Sequence, residues 1–512
     1  MNGSESQCTL TVPNLSATTY KQTSYWDQFN IVGADILPEN ITITKVYRLN
    51  WPENQDLEYK PNVTLTNNSS SYGALTVSSR GTLSAGLFSQ FYDFYYQYTN
   101  YSRAINFTSL INQGTVRADN NIIRLDLYAG RWNFVCLPYD VKVSDIVDDG
   151  NGAFVIRRYD GRKRADSDMA NTWVTMTKDS ILHAGEGYIW HAATYSSGGS
   201  TKYQRVFYVP ALQTVNKNNM FRNENVEISL TEYLAEFPQN RSWNLVGNPY
   251  PCYFDSRAIQ TTAPITVWNL SNNTYAAYSP VDDSYVLTPG EAFFIQRPLE
   301  QGSITLLKEG RQTSKTARNI SYQNNARQLG IQQQRSVFNL VLMANGQETD
   351  RTRFVINNGA EMGYNANEDA SKFFAEQSIG AELYTLSDEV RYAINERPLS
   401  TGSVQLGLRI GSEGVYTIHL DTKVENEVWL IDRMLGTETL LTEGLDYTFS
   451  AEIGTLDNRF VVRLGAGELT GIRNANVDAN ANESLYNLKG YRINSQLKRG
   501  LYINKGKKVV VK

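Results

Sequence analysis

Apolar and polar residues alternate with a period of two along the last third of the chain. Phe338, Leu340 and Leu342 form one such set, Val404, Leu406, Leu408 and Ile410 a second, and Tyr416, Ile418 and Leu420 a third. Successive side chains of a strand point to opposite faces, so each set predicts a strand with one buried face. Further apolar runs lie at 428–431, 447–449 and 460–464, separated by Gly, Asn and Asp turns. About seven short strands over residues 336–465 is the pattern of an immunoglobulin-like β-sandwich, without the cysteine pair of antibody domains. Residues 361–380 break the alternation and predict a long connection, with room for one helical turn around 370–375.

Between residues 128 and 308 one order of motifs occurs twice. Trp132-Asn133-Phe134-Val135-Cys136-Leu137-Pro138-Tyr139 matches Trp243-Asn244-Leu245-Val246-Gly247-Asn248-Pro249-Tyr250, and Gly185-Glu186-Gly187-Tyr188-Ile189-Trp190 echoes Gly290-Glu291-Ala292-Phe293-Phe294-Ile295. Proline cannot donate to a ladder and ends the strand it follows, while glycine tolerates the positive φ of a tight turn. The pattern predicts two related β units, each a Trp-anchored strand, a meander, and a Gly turn feeding an aromatic strand. They read as one module with pseudo-repeat halves, or as two small sandwiches.

Residues 1–127 carry short β-branched runs such as Ile41-Thr42-Ile43-Thr44, Val63-Thr64-Leu65-Thr66 and Leu75-Thr76-Val77, punctuated by Asn, Ser and Gly. Gly81-Thr82-Leu83-Ser84 and Gly114-Thr115-Val116 fit the last coils of a β-solenoid, and an irregular β domain accounts for the same residues. Residues 309–335, rich in Gln, Asn, Arg and Ser, predict a linker, and 466–483 a flexible spacer. The expected fold class is therefore all-β throughout, ending in a small three-stranded tail at 484–512.

Composition agrees. Aromatics make up 12% of the 512 residues, with 32 Tyr against 7 Met, which favours strands over helices. The net charge of −4 hides an asymmetry: residues 484–512 hold eight Lys or Arg and no Asp or Glu, so 40 basic residues face 52 acidic ones in the rest. A mildly acidic body argues against nucleic acid as a partner. No apolar run is long enough for a transmembrane helix. The first residues lack a signal peptide, so an exported protein with this sequence is expected to be an N-terminally truncated fragment. Cys8, Cys136 and Cys252 lie too far apart for metal-ligand spacing and read as buried hydrophobes, with a single bridge between two of them as the alternative.

The tail reads as three short strands joined by turns. Tyr486, Asn487, Gly490 and Arg492, then Gly500, Leu501 and Tyr502, then Gly506, Lys507, Lys508, Val509 and Lys512 resemble the C-terminal sorting domain of proteins exported by type IX secretion. The resemblance covers about 28 residues, in three ordered pieces; Tyr491 departs from the small or polar residue usual there. Asp350-Arg351-Thr352-Arg353-Phe354, Ala381-Glu382-Leu383-Tyr384-Thr385-Leu386, Tyr392-Ala393-Ile394-Asn395 and the stretch from Trp243 to Tyr250 are likewise similar to segments of the large surface proteins that carry such tails. The resemblance implies an extracellular or cell-surface location and the type IX machinery as a partner.

Motifs for chemistry are absent. His183, His191 and His419 form no metalloprotease pair, and neither a nucleophile elbow nor a Walker loop occurs. Asp148-Asp149-Gly150-Asn151-Gly152 and Asp282-Asp283-Ser284 offer oxygens, but lack EF-hand spacing and read as turns. No catalytic, cofactor or metal site is expected. Tyr92, Phe94, Tyr96 and Tyr98 alternate onto one face and are candidates for contacting a ligand, or for packing over the solenoid-like end. The expected function is a non-catalytic structural or adhesion protein whose partner is a host or neighbouring-cell protein or glycan. The alternatives are the accessory end of an exported hydrolase, or a glycan-binding module.

Overall fold

A computed structural model describes residues 109–148, 150, 152–212, 217–316, 335–375, 380–398, 402–421, 427–441 and 446–465, together with 9–13, 21–22, 30–34, 40–43, 46–49, 74–77, 82–90, 104–107, 485–486, 500–504 and 507–511. The chain is all-β. Tyr92, Phe94, Tyr96 and Tyr98 lie outside the described residues, as do Cys8, Asp149 and Asn151.

Near the N-terminus the strands stack in parallel. Asn40–Ile43, Ala74–Val77 and Ser109–Asn112 form one parallel sheet, with Asn40 opposite Ala74 and Ala74 opposite Ser109. Val46–Leu49, Thr82–Gln90 and Thr115–Tyr128 form the start of another, with Val46 opposite Thr82 and Thr82 opposite Thr115. Two strands per coil, stacked in register over three coils, is the geometry of a β-solenoid. The last strand, Thr115–Tyr128, runs on: its second half pairs antiparallel with Gln204–Pro210. One strand therefore belongs both to the stack and to the next module.

That module contains the repeat as two four-stranded antiparallel sheets of identical order. The first runs Trp132–Cys136, Gly187–Ala192, Phe154–Tyr159, Trp173–Thr175, and the second Trp243–Gly247, Ala292–Gln296, Ile265–Asn269, Thr274–Tyr278. The shared motifs have shared jobs. Asn133 donates to the carbonyls of Tyr128 and Trp190 and accepts from the Tyr128 N–H, while Asn244 exchanges the same pair of bonds with Thr231. Tyr139 donates its hydroxyl to the Val209 carbonyl at 2.8 Å, and Tyr250 to that of Leu306 at 3.0 Å. A Trp-Asn strand followed by Pro-Tyr is thus a strand stapled at both ends by side chains that satisfy backbone groups.

The halves meet about a pseudo-twofold axis. The Cys136 N–H donates to the Gly290 carbonyl at 2.8 Å, and the Gly247 N–H, in the equivalent place, donates to that of Gly185 at 3.2 Å. Reciprocal contacts of this kind define an isologous interface. Close approach requires small residues there: a Cβ added at Gly247 would overlap the Cys136 Cβ and the Glu291 carbonyl. Cys136 and Cys252 are buried thiols in no disulfide, as the sequence predicts, and burial pushes the Cys136 thiol up.

Residues 309–312 do not begin a linker. Arg311–Gln312 is a strand against Tyr253–Asp255, and the Arg311 guanidinium donates to the Asn112 and Arg222 carbonyls, closing the second half onto the last coil.

Residues 336–464 form one continuous sheet folded over a single core of Phe338, Leu340, Phe354, Leu383, Leu406, Ile418, Leu430 and Phe460 among others. The two layers of the expected sandwich are joined by a parallel pairing of Gln347–Ile356 with Val390–Arg397, so the sandwich is nearly a closed barrel. Residues 370–375 make no helical turn. Ala370–Ser371 is a strand against Val390–Arg397, and the Lys372 N–H donates to the Arg391 carbonyl. Backbone pairing wins because the segment buries Lys372 and Phe373, to 5% and 6% exposure. It is a strap between sandwich and repeat module.

The tail strands Leu485–Tyr486, Gly500–Asn504 and Lys507–Val511 form a three-stranded antiparallel sheet. Asn487, Gly490, Arg492, Gly506 and Lys512 lie outside the described residues.

Candidate functional site

The inner faces of the two repeat sheets are aromatic. From the first come Phe134, Tyr159 and Trp173, and from the second Trp268, Tyr275 and Phe294. Phe134 sits at the centre, stacked on Trp268 with ring centroids 5.6 Å apart and edge-on to Trp173, Tyr275 and Phe294 at about 6 Å. Sheet register makes Tyr159 the counterpart of Trp268, and Trp173 that of Tyr275.

At the edge of this layer the symmetry breaks. Trp243 is 1% exposed: the strap lays Phe373 against it at 4.6 Å, and Arg164 stacks over both rings, at 5.2 Å from Trp243 and 3.9 Å from Phe373. Its counterpart Trp132 is half-buried, with Arg157 over the ring at 4.9 Å and His191 at 5.2 Å. A cleft of about 670 Å³ opens beside it, lined by Trp132, Phe134, Trp173, Trp268 and Tyr275 and bounded by the strap.

Arg131, Arg157 and Arg164 line this cleft, and among the described residues none of the three forms an ion pair with a carboxylate. Arg131 donates to the Leu270 carbonyl at 2.8 Å, while the buried Nε atoms of Arg157 and Arg164 have no hydrogen-bond partner. Burial pushes the Tyr159 hydroxyl up to about 12 even with the Arg164 guanidinium beside it. Three guanidiniums in no ion pair with a described carboxylate, with Glu389 the one carboxylate among the described lining side chains, stand beside half-exposed flat rings and make a place for an anion that carries a ring.

Behind the cleft the strap is pinned by buried charges. Lys372 Nζ lies 2.5 Å from Asp350 Oδ2 and 3.0 Å from the Tyr275 carbonyl, and both charged side chains are fully buried. Glu382, also fully buried, accepts the Ala375 N–H at 3.3 Å and reaches Arg409 at 3.3 Å. Burial raises both carboxyls, that of Glu382 to about 7. Asp369, which accepts the N–H groups of Glu396 and Asn365, is pushed by burial up to about 8. Wholly covered, Asp350 and Glu382 cannot touch a molecule in the cleft.

Other candidates fall into structural roles. Asp282 and Asp283 are held by Arg335 and Arg353 at 2.6–3.1 Å and bridge the second half to the sandwich. Asp148 accepts the Gly150 N–H, as a turn residue does. The histidines have separate partners: His183 pairs with Asp140 at 3.6 Å, His191 packs on Trp132, and His419 bonds Asp446 at 2.6 Å. Among the described residues no group of His, Cys, Asp and Glu could hold a metal ion, and no helix is long and apolar enough to cross a membrane.

The cleft escapes sequence reasoning because it joins residues more than a hundred positions apart, and the buried charges because residues 22 positions apart meet only once the sheet has folded. The usable signals were the Trp repeat and a carboxylate at a core position of an apolar strand, as in Ala381-Glu382-Leu383.

Residues 258–464 match a domain of unknown function, DUF8693. The matched stretch includes Trp268, Tyr275, Asp350, Lys372 and Glu382, and leaves out Trp132, Arg157 and Trp173. No curated protein and no solved structure matches the chain.

Proposed function

We propose that this chain is a non-catalytic secreted or surface adhesion protein, exported by type IX secretion through residues 484–512, and that the Trp132 cleft binds an acidic saccharide. The observation that carries the binding role is the convergence of Arg131, Arg157 and Arg164, none paired with a described carboxylate, on a cleft walled by half-exposed aromatic rings. A pyranose presents a flat apolar C–H face that suits Trp132, and a uronate or sulfate group on it suits the guanidiniums. Stacked coils running without a break into the repeat module support a scaffold that displays this cleft. The separate basic tail supports an address read by the export machinery.

A glycan array containing uronic-acid and sulfated oligosaccharides alongside neutral ones tests the binding role. Acidic ligands should bind, more weakly as salt rises, and Trp132→Ala should lower affinity about tenfold, the loss of roughly one stacking contact. Binding confined to neutral sugars, or unchanged in Trp132→Ala and Arg157→Met, would remove this role. Export is tested separately: a chain lacking 484–512 should stay inside the producing cell, and normal secretion of it would refute the sorting role.

A further inference from the structure

We propose that Lys372 and Asp350 are joined by an intramolecular amide bond, formed after folding with Glu382 as the proton carrier. Three placements carry this. The nucleophile and the carboxyl are 2.5 Å apart and both at 0% side-chain exposure, so water neither separates them nor competes. The Asp350 carboxyl is activated on one side only: Oδ2 accepts the Leu383 N–H at 2.7 Å, while the buried Oδ1 has no partner. Glu382 immediately precedes Leu383, whose N–H Asp350 accepts, and its side chain is fully buried and electrostatically coupled to both Lys372 and Asp350.

An ion pair is a poor end state for such a site. Each buried charge costs several kcal/mol in desolvation, which attraction offsets only when every lone pair is satisfied, and Asp350 Oδ1 is not. Moving one proton from Nζ to the carboxyl gives a neutral amine beside a neutral acid, the reactive pair. The Nζ lone pair then attacks Asp350 Cγ, forming the C–N bond and a tetrahedral oxyanion. Glu382 takes a proton from the quaternised nitrogen and passes it to the Asp350 hydroxyl, the C–O bond breaks, and one water leaves. Glu382 is restored, no redox partner is needed, and two buried charges are gone for good. Amide formation in water is unfavourable, but fixed proximity is worth an effective concentration of about 10⁵ M or more, and loss of the product water from a covered site opposes reversal. With a carboxyl raised by burial to about 7, Glu382 can both accept and release a proton near neutrality.

The bond would close the loop from 350 to 372 and lock the strap that covers Trp243. Intact-mass spectrometry of the denatured full chain, followed by peptide mapping, tests for it directly. The expected result is a mass short by one water, with a branched peptide containing both Lys372 and Asp350. Lys372→Arg should restore the full mass, and Glu382→Gln should leave the bond unformed or form it at least tenfold more slowly in freshly folded protein. Full mass with linear peptides through both residues would overturn the proposal, as would a water lost elsewhere or a link from Lys372 to Glu382. Should Lys372→Arg fail to fold, the mass and peptide map of the unsubstituted chain still distinguish a linked from an unlinked pair. A link formed equally fast in Glu382→Gln would overturn the role of Glu382.

Discussion

The two halves of the repeat begin from the same motif and end with their tryptophans in opposite circumstances. Trp243 is sealed by Phe373 and Arg164, while Trp132, on the equivalent strand, keeps one side open to a cleft. Strand order and the bonds of Asn133 and Asn244 are alike, so the difference lies in what packs on the rings: Arg164 and Phe373 on Trp243, Arg157 and His191 on Trp132. The strap from the sandwich packs on one of the two rings and only borders the cleft beside the other. Two like aromatic seats thus differ in cover: one is filled from within the chain and the other borders a cleft.

The symmetric axis is where the comparison breaks most readily. Gly247→Val would force a Cβ into the Cys136 Cβ and the Glu291 carbonyl, and should cost about 4 kcal/mol or more, seen in denaturant unfolding as collapse of both halves. Cys136→Ala, at the equivalent position, should cost only about 1–2 kcal/mol. Phe373→Ala should cost about 3–5 kcal/mol and shift Trp fluorescence to longer wavelength as Trp243 meets water. If it does neither, the strap is not what distinguishes the halves.

Acidity sharpens the same contrast, since the strap carries Asp369. An unfolded aspartate titrates near about 3.9, and the folded one is pushed up to about 8, so between these values the folded state holds an extra proton. The stability that Asp369 contributes is fully present below about pH 4 and is lost as pH rises towards 8, by up to about 1.4 kcal/mol per pH unit. Asp369→Asn should flatten that slope in urea midpoints measured across the range. The smallest effect belongs to the open seat: Trp132→Ala should change stability by about 1 kcal/mol or less while losing the binding described above.

Much of the fold was legible because it is written in local alternation. Phe338, Leu340 and Leu342 predict a strand and form one, and the doubled Trp-Asn and Gly-Glu motifs predict two like units that prove to have the same strand order. The strap departs from its local pattern for a physical reason. Residues 370–375 have helical composition, yet tertiary burial of Lys372 and Phe373 outweighs propensity. The cleft was illegible because Arg157 and Trp268 approach only after two sheets have packed, and nothing in their spacing encodes it. The composition of 309–335 predicts a linker from its first residue, yet the short Arg311–Gln312 strand takes its pairing from Tyr253–Asp255, nearly sixty residues back.

The 14-residue strand Thr115–Tyr128 serves the coil stack with one end and the first repeat half with the other. A shared strand cannot act as a hinge. Tension applied along the stack must pass into the repeat module as shear across a full ladder of hydrogen bonds, which yields together rather than one bond at a time. The two regions should therefore behave as one stiff rod, and thermal melting of the first half should carry the last coil with it.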